Sequence, residues 1–216
     1  MKKVHRSEKN SEMVWAIITA RMGSTRLPNK ILLDICGKPM LWHVVNRVMA
    51  SKLINKIVIA TDTKSPEILD FAVEYDIPVY AGADDDILDR LYQASKGAKI
   101  IVRIWGDSPL VNADIIDDLI RFFVGGKYDY AYNKGYPEGQ NVAVVSYKTL
   151  RKAWETIKDP KDREWIHTYF TNTKDYKVGI MENETDLSSV KLSVDTAEDL
   201  ERIRGLIERS QIINRL

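Results

Sequence analysis

The chain predicts an α/β protein, a three-layer α/β/α sandwich around a mostly parallel, doubly wound sheet. Three observations carry this. Residues 14–20 and 56–60 are nearly continuous apolar runs, as strands buried on both faces require. Strand and helix patterns alternate about every thirty residues as far as Val124, the rhythm of linked βαβ units. The 216 residues are 44% hydrophobic, enough to bury one core with a small appended lobe.

The elements follow in order. Strand 14–20 leads into a polar loop, 21–30. Gly37-Lys38-Pro39 opens an amphipathic helix through Leu41, Val44, Val45 and Val48. Strand 56–60 ends in Thr61-Asp62, and Ser65-Pro66-Glu67 starts the next helix with Ser at the cap and Pro in the first turn. A short strand 78–80, a helix 86–96, a strand 99–104 and a helix 112–124 complete this half. After Gly125 the rhythm changes: short strands at 128–131 and 142–145, helices at 147–157 and near 163–172, a strand-like 190–194 and a last helix 197–209. Residues 1–12 are expected to be a mobile polar tail, with Met13 a candidate biological start. Residues 13–216 are expected to form one domain, with an acceptor and dimer lobe at about 128–180.

Composition excludes several classes. Thirty-two basic against thirty-one acidic residues leave a net charge of +1, so no long-range field favours nucleic acid or an anionic membrane. One cysteine, Cys36, excludes an internal disulfide and a Cys/His zinc site, and a reducing cytoplasmic setting is expected. No apolar run is long enough to span a bilayer.

Ligands of open α/β sheets bind beyond the carboxyl ends of the strands. Loop 21–30 offers Arg21, Arg26 and Lys30 as cations, Ser24 and Thr25 as hydroxyls, and Gly23 for close backbone approach to an anion. It is not a Walker A loop, and a solvated basic connection is its other reading. In Trp105-Gly106-Asp107-Ser108-Pro109, Asp107 is placed to hold Mg²⁺ against phosphate oxygens, or to cap a turn. Asp195 stands before the last helix as a second metal ligand, or as part of its cap. Asp84-Asp85-Asp86 reads as helix capping, and Asp89-Arg90 as a nucleotide contact or a surface pair. His43 and His167 read as packing or solvent-facing residues. Trp154, Trp165 and Tyr169 read as core or dimer contacts.

The string Ala20-Arg21-Met22-Gly23-Ser24-Thr25-Arg26-Leu27-Pro28-Asn29-Lys30 resembles the signature loop of the cytidylyltransferases that make CMP-activated acidic sugars. These include CMP-Kdo synthetase and the acylneuraminate cytidylyltransferases. The resemblance is greatest to the spore coat polysaccharide biosynthesis branch, and extends to segments 83–90, 102–110 and 194–200, in order. It implies a nucleotide-diphospho-sugar transferase fold, CTP as nucleotide, Mg²⁺ as metal, and a homodimer built partly from the region after Tyr128. It implies catalytic roles for Arg21, Lys30 and Asp107, and metal ligation by Asp107 and Asp195. The implied nucleotide contacts are Ala20, Arg21, Gly23, Ser24, Arg26, Lys30, Thr61, Asp62, Asp89 and Arg103. Asn141, Arg163 and Glu164 fall on the acceptor side. There the chain departs from the branch: Asn141-Val142-Ala143 replaces a strand with an Asp and a Glu, and Trp165 and His167-Thr168 replace a His and a Thr-Pro.

The implied reaction is CMP transfer from CTP to an acceptor oxygen of a sugar or a small acidic or phosphorylated metabolite, releasing pyrophosphate. A glycosyltransferase of the same fold is the first alternative, although its Asp-x-Asp motif is replaced here by Gly106-Asp107-Ser108-Pro109. A non-catalytic nucleotide-binding protein is the second. Pyrophosphate release separates them.

Overall fold

The computed structural model describes residues 13–213. The expected tail, 1–12, lies outside them. In chain order the elements are β1 Val14–Thr19, a short 3₁₀ turn Lys30–Leu32, β2 Asp34–Ile35, β3 Lys38–Pro39, α1 Met40–Met49, β4 Lys56–Asp62, α2 Pro66–Glu74, β5 Val79–Gly82, α3 Ile87–Ala94, β6 Ile100–Trp105 and α4 Ala113–Gly126. The second half adds β7 Tyr130–Lys134, β8 Ala143–Ser146, α5 Tyr147–Thr156, α6 Pro160–Glu164, α7 Ile166–Asn172, β9 Val178–Glu182 and α8 Ala197–Ile213.

One seven-stranded sheet has the order β5-β4-β1-β6-β8-β7-β9. β1 runs parallel to both β4 and β6, β4 to β5, and β7 to β9; β8 is antiparallel to β6 and β7. The sheet is therefore mostly parallel, as the sequence pattern requires. Period-two alternation divides β1 between two cores: Ala16 and Ile18 face one, Ile17 the other. The first core is roofed by α1, α2, α4 and α8 through residues such as Leu41, Phe71, Leu119 and Ile203. The second lies under α3, α5 and α7 through Leu88, Leu91, Leu150 and Phe170. This is the three-layer sandwich.

The chain winds from β1 outward to β5, then returns to place β6 on the other side of β1. The loops after β1 and β6 thus leave in opposite directions, and a crevice opens between them. The segment after Tyr128 contributes β7, β8 and β9 to this same sheet.

Four details differ from the sequence reading. Residues 37–39 belong to a two-stranded turn, β2 with β3, and the helix begins only at Met40, because Pro39 is extended at its N-cap. Segment 190–194 forms no strand; it carries one isolated bridge, Lys191 with Glu138, since its neighbour is a turn rather than a strand. The helix read across 163–172 is two helices broken at Trp165, whose φ of −97° and ψ of 53° cannot continue a helix. β9, which carries Gly179 within five residues, was not legible as a strand. No helix among the described residues is long and apolar enough to cross a membrane.

Candidate active site

The crevice holds a cavity of about 850 Å³. Its floor comes from the loop after β1. Ala20 N–H donates to the Ala60 carbonyl at 3.1 Å, tying the loop's root to β4. Two residues on, Met22 N–H donates to Ser65 Oγ at 2.9 Å, and Ser65 donates to Asp62 Oδ1 at 2.5 Å. Asp62 and Thr61 are buried and do not line the cavity. They sit beneath the loop, which Asp62 braces through Ser65. Asn29 takes a left-handed conformation, φ 59°, and turns the chain so that Lys30 points inward while Ile31 anchors in the core.

The Lys30 ammonium lies 2.9 Å from Asp107 Oδ2, 3.0 Å from Asp195 Oδ1 and 2.9 Å from the Val194 carbonyl. The Arg26 guanidinium reaches Asp195 Oδ1 at 2.9 Å, and Lys191 reaches Asp195 Oδ2 at 3.1 Å. Three chain segments more than seventy residues apart in sequence thus meet at one point. Burial alone would raise the Asp195 pKa, but the hydrogen bonds and charges of Lys30 and Lys191 hold it below the usual carboxylate range.

Local structure explains why Asp107 and Asp195 are free to converge. Gly106 lies against β1, where an added Cβ would stand 3.0 Å from the Thr19 carbonyl oxygen and from Ala20 Cβ. A glycine lets the loop after β6 sit this close to the loop after β1 without displacing the Thr19 carbonyl or Ala20. The Val194 N–H donates to the Asp107 carbonyl at 3.0 Å, linking the two acidic segments. The cap of α8 is made without Asp195. Asp199 Oδ2 accepts from the N–H groups of Asp195 and Thr196, at 3.0 and 3.2 Å, and Thr196 Oγ1 accepts from Asp199 N–H at 3.3 Å. This reciprocal capping box leaves the Asp195 carboxylate for the site.

The cavity brings together Ala20, Arg21, Gly23, Ser24, Arg26, Lys30, Arg103, Asp107, Asn141, Glu164 and Asp195. Asp89 and Arg163 are placed elsewhere. Asp89 accepts from Trp154 Nε1 at 2.7 Å and from Gln93 Nε2 at 3.1 Å, joining α3 to α5. Arg163 pairs with Asp86 at 2.7 Å and donates to the Trp154 and Ile157 carbonyls. It clamps α6 to the start of α3, where Asp86 also caps the helix.

The cavity lining also includes Arg90, which the sequence offered with Asp89 as a nucleotide contact or a surface pair, and Trp165 and His167, which it offered as packing, solvent-facing or dimer residues. Arg90, one position after Asp89, turns inward; it is 3% exposed and its guanidinium donates to the Ala83 and Asp84 carbonyls. Helical geometry separates the neighbours: Asp89 faces α5 while Arg90 faces the cavity. Trp165 stands 59% exposed at the rim, at the break between α6 and α7. His167, the second residue of α7, lines the cavity and shares a 2.9 Å hydrogen bond between its Nδ1 and Tyr130 Oη. Burial, and then the Arg103 charge, push the His167 pKa down, which favours the neutral imidazole.

The donor set suits a hard divalent cation. Asp107 and Asp195 present carboxylate oxygens that already converge on one positive charge, the Lys30 ammonium. Mg²⁺ takes one or two carboxylates and completes its shell with phosphate and water. No group of three or more His, Cys, Asp or Glu side chains forms a closed metal cage among the described residues.

Comparison with known proteins gives the family. The cytidylyltransferase family model matches residues 15–212. The spore coat polysaccharide biosynthesis protein SpsF of Bacillus subtilis is 30% identical over 207 residues, covering 90% of this chain and 86% of that protein. A 3-deoxy-manno-octulosonate cytidylyltransferase of Brucella ovis is 31% identical over 211 residues, covering 88% and 82%. The solved structure of a cytidylyltransferase from Leptospira borgpetersenii superposes with a TM-score of 0.86 at 30% identity, covering 92% of this chain and 87% of that one. With a family model spanning nearly its whole length, and a parallel sheet whose switch point holds the signature loop, this chain belongs to the cytidylyltransferase family.

Proposed function

We propose that the chain transfers CMP from CTP to an oxygen of an acidic or phosphorylated acceptor, a sugar or a small metabolite, and releases pyrophosphate. The observation that supports this best is convergence. Arg21, Arg26 and Lys30 of one loop share a cavity with two carboxylates, Asp107 just after β6 and Asp195 just before α8. The name of the Brucella relative, a 3-deoxy-manno-octulosonate cytidylyltransferase, supports an acidic sugar as acceptor.

In this reading the acceptor oxygen attacks the α-phosphorus in line. The bond to the bridging oxygen breaks, and pyrophosphate leaves carrying the electron pair. Arg21, Arg26 and Lys30 neutralise the charge that grows on the leaving group, the usual source of catalysis in phosphoryl transfer. Asp107 and Asp195 would hold Mg²⁺, which would supply withdrawal of charge from phosphate oxygens. Lys30 exchanges its carboxylate partners for phosphate oxygens, and Arg26 does the same, so the loop changes partners without changing its backbone. The acceptor occupies the end of the cavity lined by Asn141, Glu164 and Trp165. Arg163 serves there as a positioning residue, because its ion pair with Asp86 fixes the helix that carries Glu164. Thr61, Asp62 and Asp89 act at the same remove, behind the nucleotide.

The region after Tyr128 would then serve acceptor binding and a homodimer. β9 is an edge of the sheet, and Ile180, Leu187 and Val190 are exposed close to it in sequence. Sedimentation of the purified protein tests the dimer. The reaction is tested with four nucleoside triphosphates against an acceptor panel in Mg²⁺, read by pyrophosphate release. Release with CTP and one acceptor class supports the proposal; absence of pyrophosphate across the whole matrix sinks it.

A further inference from the structure

Arg103 lies in the middle of β6, directly opposite Ala143 of β8 in the sheet register. It is 9% exposed, and what it keeps open faces the cavity. Its Nε is buried without a partner, and the guanidinium makes no hydrogen bond or ion pair among the described residues. Its one close neighbour of complementary character is the Trp105 ring, 4.6 Å from the guanidinium carbon. The charged groups around it do not compensate it. Arg90 repels it, and Asp107, the carboxylate in range, is taken by Lys30 at 2.9 Å. Tyr130 holds its hydroxyl against His167, and Ala143 offers no polar atom.

A guanidinium does not shed its proton at any ordinary pH, so it cannot relieve this burial by becoming neutral. Buried charges are as a rule paired, and Arg103 is not. Arg90, in the same cavity, also has an unpartnered Nε, but its guanidinium donates to two backbone carbonyls and lies among Asp62, Asp84 and Asp86. The missing charge therefore belongs to something that enters the cavity. The triphosphate is provided for by Arg21, Arg26 and Lys30. Arg103 lines the same cavity beside Trp105, Ala143 and His167; Ala143 and His167 are close in sequence to Asn141 and to Glu164 and Trp165, the residues read above as the acceptor side.

We infer that Arg103 forms a second anion subsite, apart from the triphosphate loop, which receives a carboxylate or phosphate group of the acceptor and so determines acceptor specificity. This rests on reading the cavity as a joint nucleotide and acceptor site. The Trp105 ring lies 4.6 Å from the guanidinium carbon, and the unpartnered fork can take an anion in bidentate fashion. Ala143 is what keeps the subsite open: an acid at that position would pair with Arg103 from across the sheet and close it.

The test follows the Nε–H resonance of Arg103 in protein labelled with ¹⁵N-arginine, assigned by its loss in R103K. The full chain is titrated with inorganic phosphate and, separately, with acetate, each with and without saturating CTP. A saturable shift of this resonance that persists when CTP fills the loop supports the subsite, and the anion giving the larger shift names the group. The same titrations in A143E should leave the Arg103 resonance unmoved, with CTP affinity by equilibrium dialysis unchanged. If A143E does not fold, the wild-type titration decides alone. A resonance that neither anion moves overturns the subsite, as does a shift of equal size in A143E. Failure of the protein to bind CTP would overturn the nucleotide reading instead, and the Arg103 resonance reports its own site in either case.

Discussion

The ammonium of Lys30 stands between the carboxylates of Asp107 and Asp195, 2.9 Å from one and 3.0 Å from the other, with the Val194 carbonyl closing the cage at 2.9 Å. Lys30 is thus the counter-ion of two acids far apart in sequence, one just after β6 and one just before α8. It also sits in the loop that supplies cations for phosphate. The two duties compete, and the competition makes the site sensitive to what else is bound.

Replacing Lys30 with Met removes the shared charge and keeps the stem. Asp107 then loses its cation and Asp195 keeps Arg26 and Lys191, so a divalent cation becomes the natural bridge between the two acids. Mn²⁺ binding to the nucleotide-free protein, followed by electron paramagnetic resonance, should be tighter in K30M than in wild type. Turnover should fall by about two to three orders of magnitude, the usual effect of removing one charge-stabilising donor. Mn²⁺ binding that is equal or weaker in K30M would show that Lys30 does not shield the acids.

Asp107→Asn and Asp195→Asn each keep the shape and remove a charge. Neither carboxylate caps a helix, so the fold should survive. The stability cost should be about 1–3 kcal/mol, between the values for exposed and buried ion pairs, since both side chains are only partly covered. Activity should be lost far beyond that. Pyrophosphate release, measured beside thermal melting, separates the two effects. A variant that melts normally and turns over normally would remove that residue from the metal set.

The site was legible where its residue types stand out at the ends of apolar runs. Loop 20–30 follows the strand 14–19, and Asp107 follows the strand 100–105, so alternation alone puts them at one edge of the sheet. Asp195 was legible as an acid before a helix. What separates it from the cap is that Asp199 already takes the Thr196 and Asp195 amides. Arg163 and Asp89 are different. Their partners, Asp86 and Trp154, lie 77 and 65 residues away in sequence, and no local pattern shows that these pairs form. Trp165 and His167 looked like packing residues because the helix break that turns them to the cavity depends on tertiary contact.

Asp199 sets an acid limit on stability. Burial raises its pKa, but the hydrogen bonds from Lys191, Arg202 and the Asp195 amide outweigh this and hold it below the normal carboxylate value. A folded-state pKa below the unfolded one contributes stability above the unfolded value, about 3.9, and that stability is lost as pH falls through the folded value. Wild type should therefore lose stability progressively below about pH 4. Asp199→Asn should be less stable at pH 7 by about 1–3 kcal/mol, from the lost cap and ion pairs, and should show a shallower acid limb. Melting curves from pH 7 to pH 3 check this; parallel limbs in the two proteins would remove Asp199 from the account.

Gly139 controls how closely the turn 137–140 approaches the segment that delivers Asp195. Its φ is +93°, and a Cβ there would stand 2.5 Å from the Ser193 nitrogen and 2.6 Å from the Leu192 carbonyl carbon. The backbone contacts at this point are tight: Leu192 N–H donates to the Glu138 carbonyl at 2.6 Å, and Ser193 Oγ to Glu138 Oε1 at 2.6 Å. Gly139→Ala must push backbone against backbone, with no flexible side chain to give way. It should cost about 1–3 kcal/mol, the range for strained left-handed residues. It should also cost activity, because the displaced segment carries Val194 and Asp195, two of the three oxygen sources around Lys30. The expected signature is a fall in turnover with little change in CTP affinity, since loop 20–30 is braced from the other side by Ser65 and Asp62. A G139A protein that is destabilised yet fully active would show that Asp195 keeps its place without this contact.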